Sequence, residues 1–314
     1  MGRRIGVMGA GAVGSFYGAM LARAGHEVTL IGRPAHVQAV ARDGLKLEMG
    51  AQTHSVRLQA SSDVAALRGA ELVLCCVKSG DSEAAARQMA TYLDASAWVM
   101  SLQNGVDNAE TLAKQLPCRV IATVVYVAVA LEGPGVVRYF GRGDLAVGAM
   151  PGGTQSSVPE WPTLQALVEL FAGAQVPVRI VPDVAVELWA KLLVNCAYNA
   201  MSALAQMPYA ALAALPQVRD VQDLVVQEVI AVAAASGVTL ALDDARAAVA
   251  KIAASMPGQL SSTAQDMARR KPSEIDHLNG FVARRGRELG VATPVNQTLH
   301  ALVKLVESGY IATP

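Results

Sequence analysis

Lys191, Asn195 and Asn199 recur every four residues in the run Glu187-Leu188-Trp189-Ala190-Lys191-Leu192-Leu193-Val194-Asn195-Cys196-Ala197-Tyr198-Asn199. The remainder of that run is apolar almost throughout. At about 100° per residue, four residues overshoot one helical turn by about 40°, so the three polar side chains share one face. A lone lysine on an apolar helix snorkels to water. Two amides in register with it make a functional polar stripe the better account. An ammonium there suits general acid work on a carbonyl, giving a proton to the oxygen as hydride arrives at the carbon. A second cluster runs from Gln259 to Asp266 and resumes from Lys271 to Asp276. Pro272 fits the first turn of a helix predicted over 272–289, with Glu274 just inside it, where the helix dipole favours a carboxylate. The local sequence leaves two roles open for Ser273, Glu274 and Asp276: chemistry, or capping that helix start.

Gly9-Ala10-Gly11-Ala12-Val13-Gly14 matches G-x-G-x-x-G. It follows an apolar strand at 4–8 and opens a helix at 14–24, the context a dinucleotide site needs. The first glycine makes the tight turn, the second lets a diphosphate approach the backbone, and the third lets helix pack on strand. Free amides at the helix start, those of Ala12 and Val13 among them, then bind the diphosphate. Sites for NAD carry Asp or Glu about 20 residues further on, at the end of the second strand. Here that strand ends Thr29-Leu30-Ile31-Gly32-Arg33, and Arg33 stands 19 residues after Gly14. A guanidinium pairs with a 2′-phosphate and gains little from a bare hydroxyl, so the expected cofactor is NADP(H).

These residues need elements to hold them. Strand-like segments fall at 4–8, 26–31, 71–77, 98–102, 119–130, 136–140, 144–148 and 176–181, with a hairpin over 45–49 and 54–58. The near-continuous apolar runs at 71–77 and 98–102 suit strands covered on both faces, as in a parallel sheet. Repeated βα units imply an α/β domain with a doubly wound parallel sheet of Rossmann type. A loop rich in Gly, Pro and Ser is expected at 150–161. After Pro182 the pattern becomes helical: 184–206, 216–236, 243–256, 272–289 and 294–308, broken by Pro and Gly. The predicted organisation is a cofactor domain over 1–182 and an all-α domain over 183–314 that carries substrate and catalytic groups.

Composition narrows the partners. The 314 residues suit about two domains. Twenty-six basic and 26 acidic residues cancel, which argues against nucleic acid or an anionic membrane as partner. At 53% apolar and 17% charged the chain is no disordered segment. Five glycines between Gly6 and Gly18 argue against an export helix, and no other uncharged apolar run nears the roughly 18 residues that span a bilayer. Cys75, Cys76, Cys118 and Cys196 show no metal spacing and read as small buried hydrophobes in a reducing cytoplasm.

Several separated motifs resemble the ketopantoate reductases (2-dehydropantoate 2-reductases). They are I-G-V-M-G-A-G-A-V-G at the start, C-V-K-S at 76–79, L-Q-N-G-V at 102–106, K-L-L-V-N-C-A-Y-N at 191–199, and S-S-T-A-Q-D to E-I-D-H-L-N-G across 261–280. The resemblance implies NADPH-dependent reduction of a small 2-oxo acid to a 2-hydroxy acid in pantothenate biosynthesis. It implies that Lys191 is the proton donor and that Glu274 orients the lysine and the substrate hydroxyl. It places Asn195, Asn199 and Ser262 at the substrate, Asn104 at the cofactor–substrate junction, and Lys78 and Arg33 near the NADP phosphates and ribose. Two positions depart from the family pattern: Gln259 stands where some members have Asn, three residues before Ser262, and Tyr209 stands where an amide can help bind substrate. The departures keep open a different 2-oxo acid on the same fold. A non-catalytic NADPH sensor is a further alternative, and a dehydrogenase using a His277/Glu274 pair leaves the Lys/Asn/Asn face unexplained. A homodimer is compatible with the sequence, which does not decide the oligomeric state.

Overall fold

The computed structural model describes residues 2–148 and 161–310, with backbone alone at 161–163. The loop expected at 150–161 lies outside the described residues, Trp161 excepted. The chain divides into two compact units, Met1–Ala185 and Val186–Pro314.

The first unit is built on ten strands: β1 (Arg4–Met8), β2 (Glu27–Ile31), β3 (Leu45–Met49), β4 (Gln52–Val56), β5 (Gln59–Ser61), β6 (Leu72–Cys75), β7 (Trp98–Ser101), β8 (Arg119–Gly133), β9 (Val136–Gly148) and β10 (Val178–Val181). Their order is β4-β3-β9-β8-β7-β6-β1-β2-β5, with β10 on β9. From β8 to β5 every pairing is parallel, the doubly wound part of the expectation. The sheet then changes character, because β8 and β3 pair antiparallel with β9 and β4 respectively. The segments expected as two strands at 136–140 and 144–148 form one strand. Gly141, Arg142 and Gly143 take positive φ inside it, so the chain kinks without leaving the β8 ladder.

The helices of this unit are α1 (Ala12–Arg23), α2 (Pro34–Asp43), α3 (Ser82–Ala90), α4 (Asn108–Ala113) and α5 (Trp161–Gly173). β6 is buried at all four positions, which is why its sequence Leu-Val-Leu-Cys has no polar alternation. α1 buries eight consecutive residues from Gly14 to Leu21. Among them Tyr17 is fully enclosed and its hydroxyl donates to the Gly143 carbonyl at 3.2 Å, so the kink in β9 supplies the partner a buried phenol requires.

The second unit is helical: α6 (Val184–Ala205, begun two residues earlier), α7 (Tyr209–Ala213), α8 (Pro216–Ala235), α9 (Leu242–Ser255), α10 (Ser262–Ala268), α11 (Asn279–Leu289) and α12 (Pro294–Ser308). α7 and α10 are too short to show a period. The helix predicted over 272–289 is not continuous. Residues 272–274 are irregular, Ile275–His277 form one 3₁₀ turn, and α11 starts at Asn279. Glu274 therefore stands outside the first turn of an α-helix. The cause is tertiary. The Ser273 N–H and hydroxyl both donate to Glu307 (2.8 and 2.6 Å), while Asp276 binds His300 and Lys304 (2.6 and 2.9 Å). These polar groups find their shortest bonds on α12, and the Ser273 hydroxyl accepts only the Ile275 N–H of the 3₁₀ turn, at 3.3 Å. Among the described residues, no helix is long and apolar enough to cross a membrane.

Candidate active site

The turn between β1 and α1 explains two of its three glycines by the protein's own packing. Gly9 sits at φ +103°, and a Cβ there would lie 2.7 Å from the Val77 nitrogen. A Cβ on Gly14 would lie 2.2 Å from the Gly9 carbonyl oxygen and 2.8 Å from Val7. Gly11 differs: a Cβ there would meet no described atom within 4 Å. Nothing internal demands glycine at that position, so the open space over it suits a group from outside. α1 has no acidic residue in its first turn and no side-chain cap. The amides of Ala12 and Val13 have no intrahelical acceptor, and with the helix dipole they favour an anion. Gly9 and Ala10 both donate to the Ile31 carbonyl (3.1 and 2.8 Å), which ties this turn to the end of β2. Gly32 packs so closely on Ala10 that a Cβ would fall 2.8 Å from the Ala10 methyl. Arg33 follows, exposed, just before Pro34 opens α2. Beneath the turn lie the adjacent cysteines. Burial pushes the Cys75 thiol up to about 12; burial, and then Cys75 beside it, pushes Cys76 well above its usual range. Neither is a thiolate nucleophile at neutral pH.

Lys78 and Asn104 follow β6 and β7, and a polar network joins their loops. The Asn104 carbonyl accepts from the Ser79 hydroxyl at 2.8 Å and from the Asn108 amide at 2.5 Å. The Gln103 amide donates to the Val77 carbonyl at 3.1 Å and to Ser82 at 2.6 Å, and Ser82 donates to Asn108 at 2.8 Å. Lys78 itself is exposed and Asn104 half-buried. Ser79 and Gln103 lie within the two quoted motifs, whereas Ser82 and Asn108 lie outside them, because their supporting roles depend on which two loops meet.

In the second unit, α6 is one unbroken helix, so Lys191, Asn195 and Asn199 do share a face. Lys191 and Asn195 are half-buried, while Asn199 is only 2% exposed. The start of α10 is fastened to the Asn199 end of that helix. Ser261 caps α10 by accepting from the Ala264 amide at 3.0 Å, and its hydroxyl donates to the Asn199 carbonyl at 3.2 Å. Ser262, the next residue, is exposed at the first position of α10. The stretch after Glu274 is likewise fastened to α6, since the Asn279 amide donates to the Cys196 carbonyl at 3.1 Å. His277 is half-buried, with no bonding partner for its buried Nδ1 among the described residues. The two departures from the family pattern touch one another: the Tyr209 N–H donates to the Gln259 carbonyl at 3.1 Å. The Tyr209 ring packs 4.9 Å from that of Tyr198, and burial pushes its phenol up to about 12. Among the described residues no group of His, Cys, Asp and Glu is placed to hold a metal ion.

Glu307 holds the segment that carries Glu274. Its side chain is 8% exposed. Burial would raise its carboxyl, but the two Ser273 donors and Lys304 outweigh burial and hold it below the usual carboxylate range. Asp276 is lowered in the same way, with His300 and Lys304 outweighing burial. A carboxyl depressed in the folded state contributes stability that is present above its unfolded value and lost as pH falls through the folded one. The wild-type melting temperature is therefore expected to drop as pH falls below about 4. Glu307→Gln should have a lower melting temperature at pH 7, by the equivalent of about 1.5–3 kcal/mol for charge-assisted bonds, and a shallower acid limb. Parallel acid limbs in thermal melts of the two proteins would count against this role.

A profile described as "Ketopantoate reductase PanE/ApbA" matches residues 5–152, and its partner, "Ketopantoate reductase PanE/ApbA C terminal", matches residues 183–307. The chain belongs to the ketopantoate reductase family. Members of this family are oxidoreductases acting on a CH–OH group. A 2-dehydropantoate 2-reductase of Halobacterium salinarum is 34% identical over 97% of this chain and 99% of its own. The crystal structure of a PanE/ApbA family ketopantoate reductase from Ralstonia eutropha is 51% identical, covers 98% of this chain and 99% of its own, and superposes with a TM-score of 0.90. D-Mandelate dehydrogenase, in a ternary structure with NADH and anilino(oxo)acetate, shares the fold at a TM-score of 0.90 and 24% identity, over 99% of this chain and all of its own. The sheet-plus-helices architecture expected from sequence is that of these ketopantoate reductases.

Proposed function

We propose that this chain reduces 2-dehydropantoate to its 2-hydroxy acid with NADPH, as a step of pantothenate formation in the cytoplasm. The observation that carries the reading is the polar face of α6. A chain 34% identical to a 2-dehydropantoate 2-reductase carries Lys191, Asn195 and Asn199 in register on an otherwise apolar helix. Residues 1–182 are assigned the cofactor and 183–314 the proton donor and substrate groups. The open space over Gly11 and the amides of Ala12 and Val13 fit a diphosphate, with Gly9 and Gly14 shaping the turn. Arg33 is assigned the 2′-phosphate, Lys78 the phosphates and ribose, and Asn104 the junction of cofactor and substrate.

When bound, a reduced nicotinamide supplies the hydride. Asn195, Asn199 and Ser262 hold the 2-oxo acid, Ser262 near its carboxylate. Lys191 donates a hydrogen bond to the 2-oxo group, which polarises it. As C2 gains a hydrogen with its electron pair, the C=O π pair moves to oxygen, and that oxygen takes a proton from the Lys191 ammonium. Water then reprotonates the neutral lysine. Glu274 orients the ammonium and the substrate hydroxyl.

The cofactor assignment is tested by comparing kcat/KM for NADPH and NADH in wild type and Arg33→Ala. Loss of a charge-assisted pair should cost about 1.5–3 kcal/mol with NADPH and little with NADH. A wild type that prefers NADH would overturn it. The residue types at Gln259 and Tyr209, which depart from the family pattern, favour a second reading of the substrate, a different 2-oxo acid. Comparing kcat/KM for 2-dehydropantoate with other branched 2-oxo acids separates the two.

A further inference from the structure

His36 lies on α2, three residues after Arg33, has no role assigned above, and is only 7% exposed. Both ring nitrogens are engaged. The Gly135 N–H, in the turn between β8 and β9, points at Nδ1 at 3.1 Å. A nitrogen that accepts a backbone N–H carries no proton, so the neutral ring keeps its hydrogen on Nε2. Nε2 lies 3.2 Å from the Ser15 hydroxyl oxygen and donates to it. The Ser15 hydroxyl hydrogen is then directed to the Ala10 carbonyl at 3.4 Å. The relay has one direction, from Gly135 through His36 and Ser15 to Ala10.

Its end point matters. The Ala10 carbonyl and the Gly11 N–H belong to one planar peptide, so fixing the first fixes the second. The Gly11 N–H donates to the Gly9 carbonyl at 2.8 Å, which pins the same plane from its other side. This peptide runs into Gly11, the glycine beneath the open space. We infer that His36 is a positioning residue for cofactor binding: through Ser15 it sets the Ala10–Gly11 peptide against which the diphosphate lies. This rests on the dinucleotide assignment of that turn. Burial lowers the affinity of His36 for a proton, which keeps the accepting tautomer at neutral pH.

The test compares His36→Phe, His36→Gln and Ser15→Ala with wild type, reading NADPH Kd by fluorescence titration together with kcat and KM for 2-dehydropantoate. Phenylalanine fills the volume but neither accepts nor donates. Glutamine offers a carbonyl to Gly135 and an amide to Ser15. NADPH Kd is expected to rise about threefold to tenfold in His36→Phe, the loss of one or two neutral hydrogen bonds. Glutamine should recover most of the loss, while kcat at saturating NADPH and KM for the oxo acid stay within about twofold of wild type. Ser15→Ala cuts the relay without touching the ring and should raise Kd in the same sense, which keeps the test intact if His36→Phe does not fold. Unchanged Kd in Ser15→Ala and in the folded His36 variants overturns the inference and leaves the dinucleotide assignment standing. Equal losses in Kd, kcat and KM, or rescue by phenylalanine and not by glutamine, also overturn it. A wild type that binds no NADPH overturns the assignment and the inference with it.

Discussion

Lys191→Ala should lower kcat by about 10²–10⁴-fold, the usual contribution of a positioned general acid, with NADPH Kd nearly unchanged. The separation of effects follows from the fold. Lys191 lies in the second unit on α6, and the glycine turn lies in the first, between β1 and α1. Lys191→Arg should not restore the rate, because a guanidinium holds its proton too tightly and has a different shape. Glu274→Ala should damage KM for the oxo acid and kcat together, since its carboxylate is proposed to position groups and not to supply the proton. The rate of reduction should fall as pH rises through the lysine's own titration in the ternary complex, and that limb should vanish in Lys191→Ala. A Lys191→Ala enzyme with near-wild-type kcat and the same alkaline limb would remove the lysine from the mechanism and turn attention to His277.

The second large effect separates two glycines three residues apart. Gly14→Ala places a methyl 2.2 Å from the Gly9 carbonyl oxygen, a backbone atom that moves only if the turn moves. Overpacking of this kind costs about 1–3 kcal/mol, and the displaced turn should lose NADPH affinity as well. Gly11→Ala meets no described atom within 4 Å. Its melting temperature should match wild type while NADPH binding falls sharply, because the methyl occupies the space assigned to the diphosphate. Thermal melts and NADPH titrations of both variants provide the check. A Gly11→Ala protein with full affinity would contradict the placement of the diphosphate.

The contrast between these positions also shows what a sequence can carry. The α6 stripe was legible because Lys191, Asn195 and Asn199 obey the helical period over a 22-residue helix. The glycine turn was legible because its strand and helix flank it within twenty residues. Glu274 was misplaced into a helix because Pro272 gives a local start signal. The groups that override it, Glu307 at Ser273 and His300 with Lys304 at Asp276, lie 24 to 34 residues away. The mixed half of the sheet, where β9 pairs antiparallel with β8 but parallel with β3 and β10, was only partly legible, since pairing β9 with β8 through Gly141–Gly143 depends on backbone freedom and on Tyr17 on another element. His36 gave no signal at all: its partners are 21 and 99 residues distant, and one of them is a backbone amide.

The most direct measurement is to supply NADPH carrying deuterium at both C4 positions of the nicotinamide together with 2-dehydropantoate, and to examine the product by mass spectrometry. One deuterium at C2 of the 2-hydroxy acid, with one NADPH consumed per product and a rate about 10²–10⁴-fold lower in Lys191→Ala, is the expected result. NADPH that binds without being oxidised by 2-dehydropantoate or any other branched 2-oxo acid would contradict the reductase assignment.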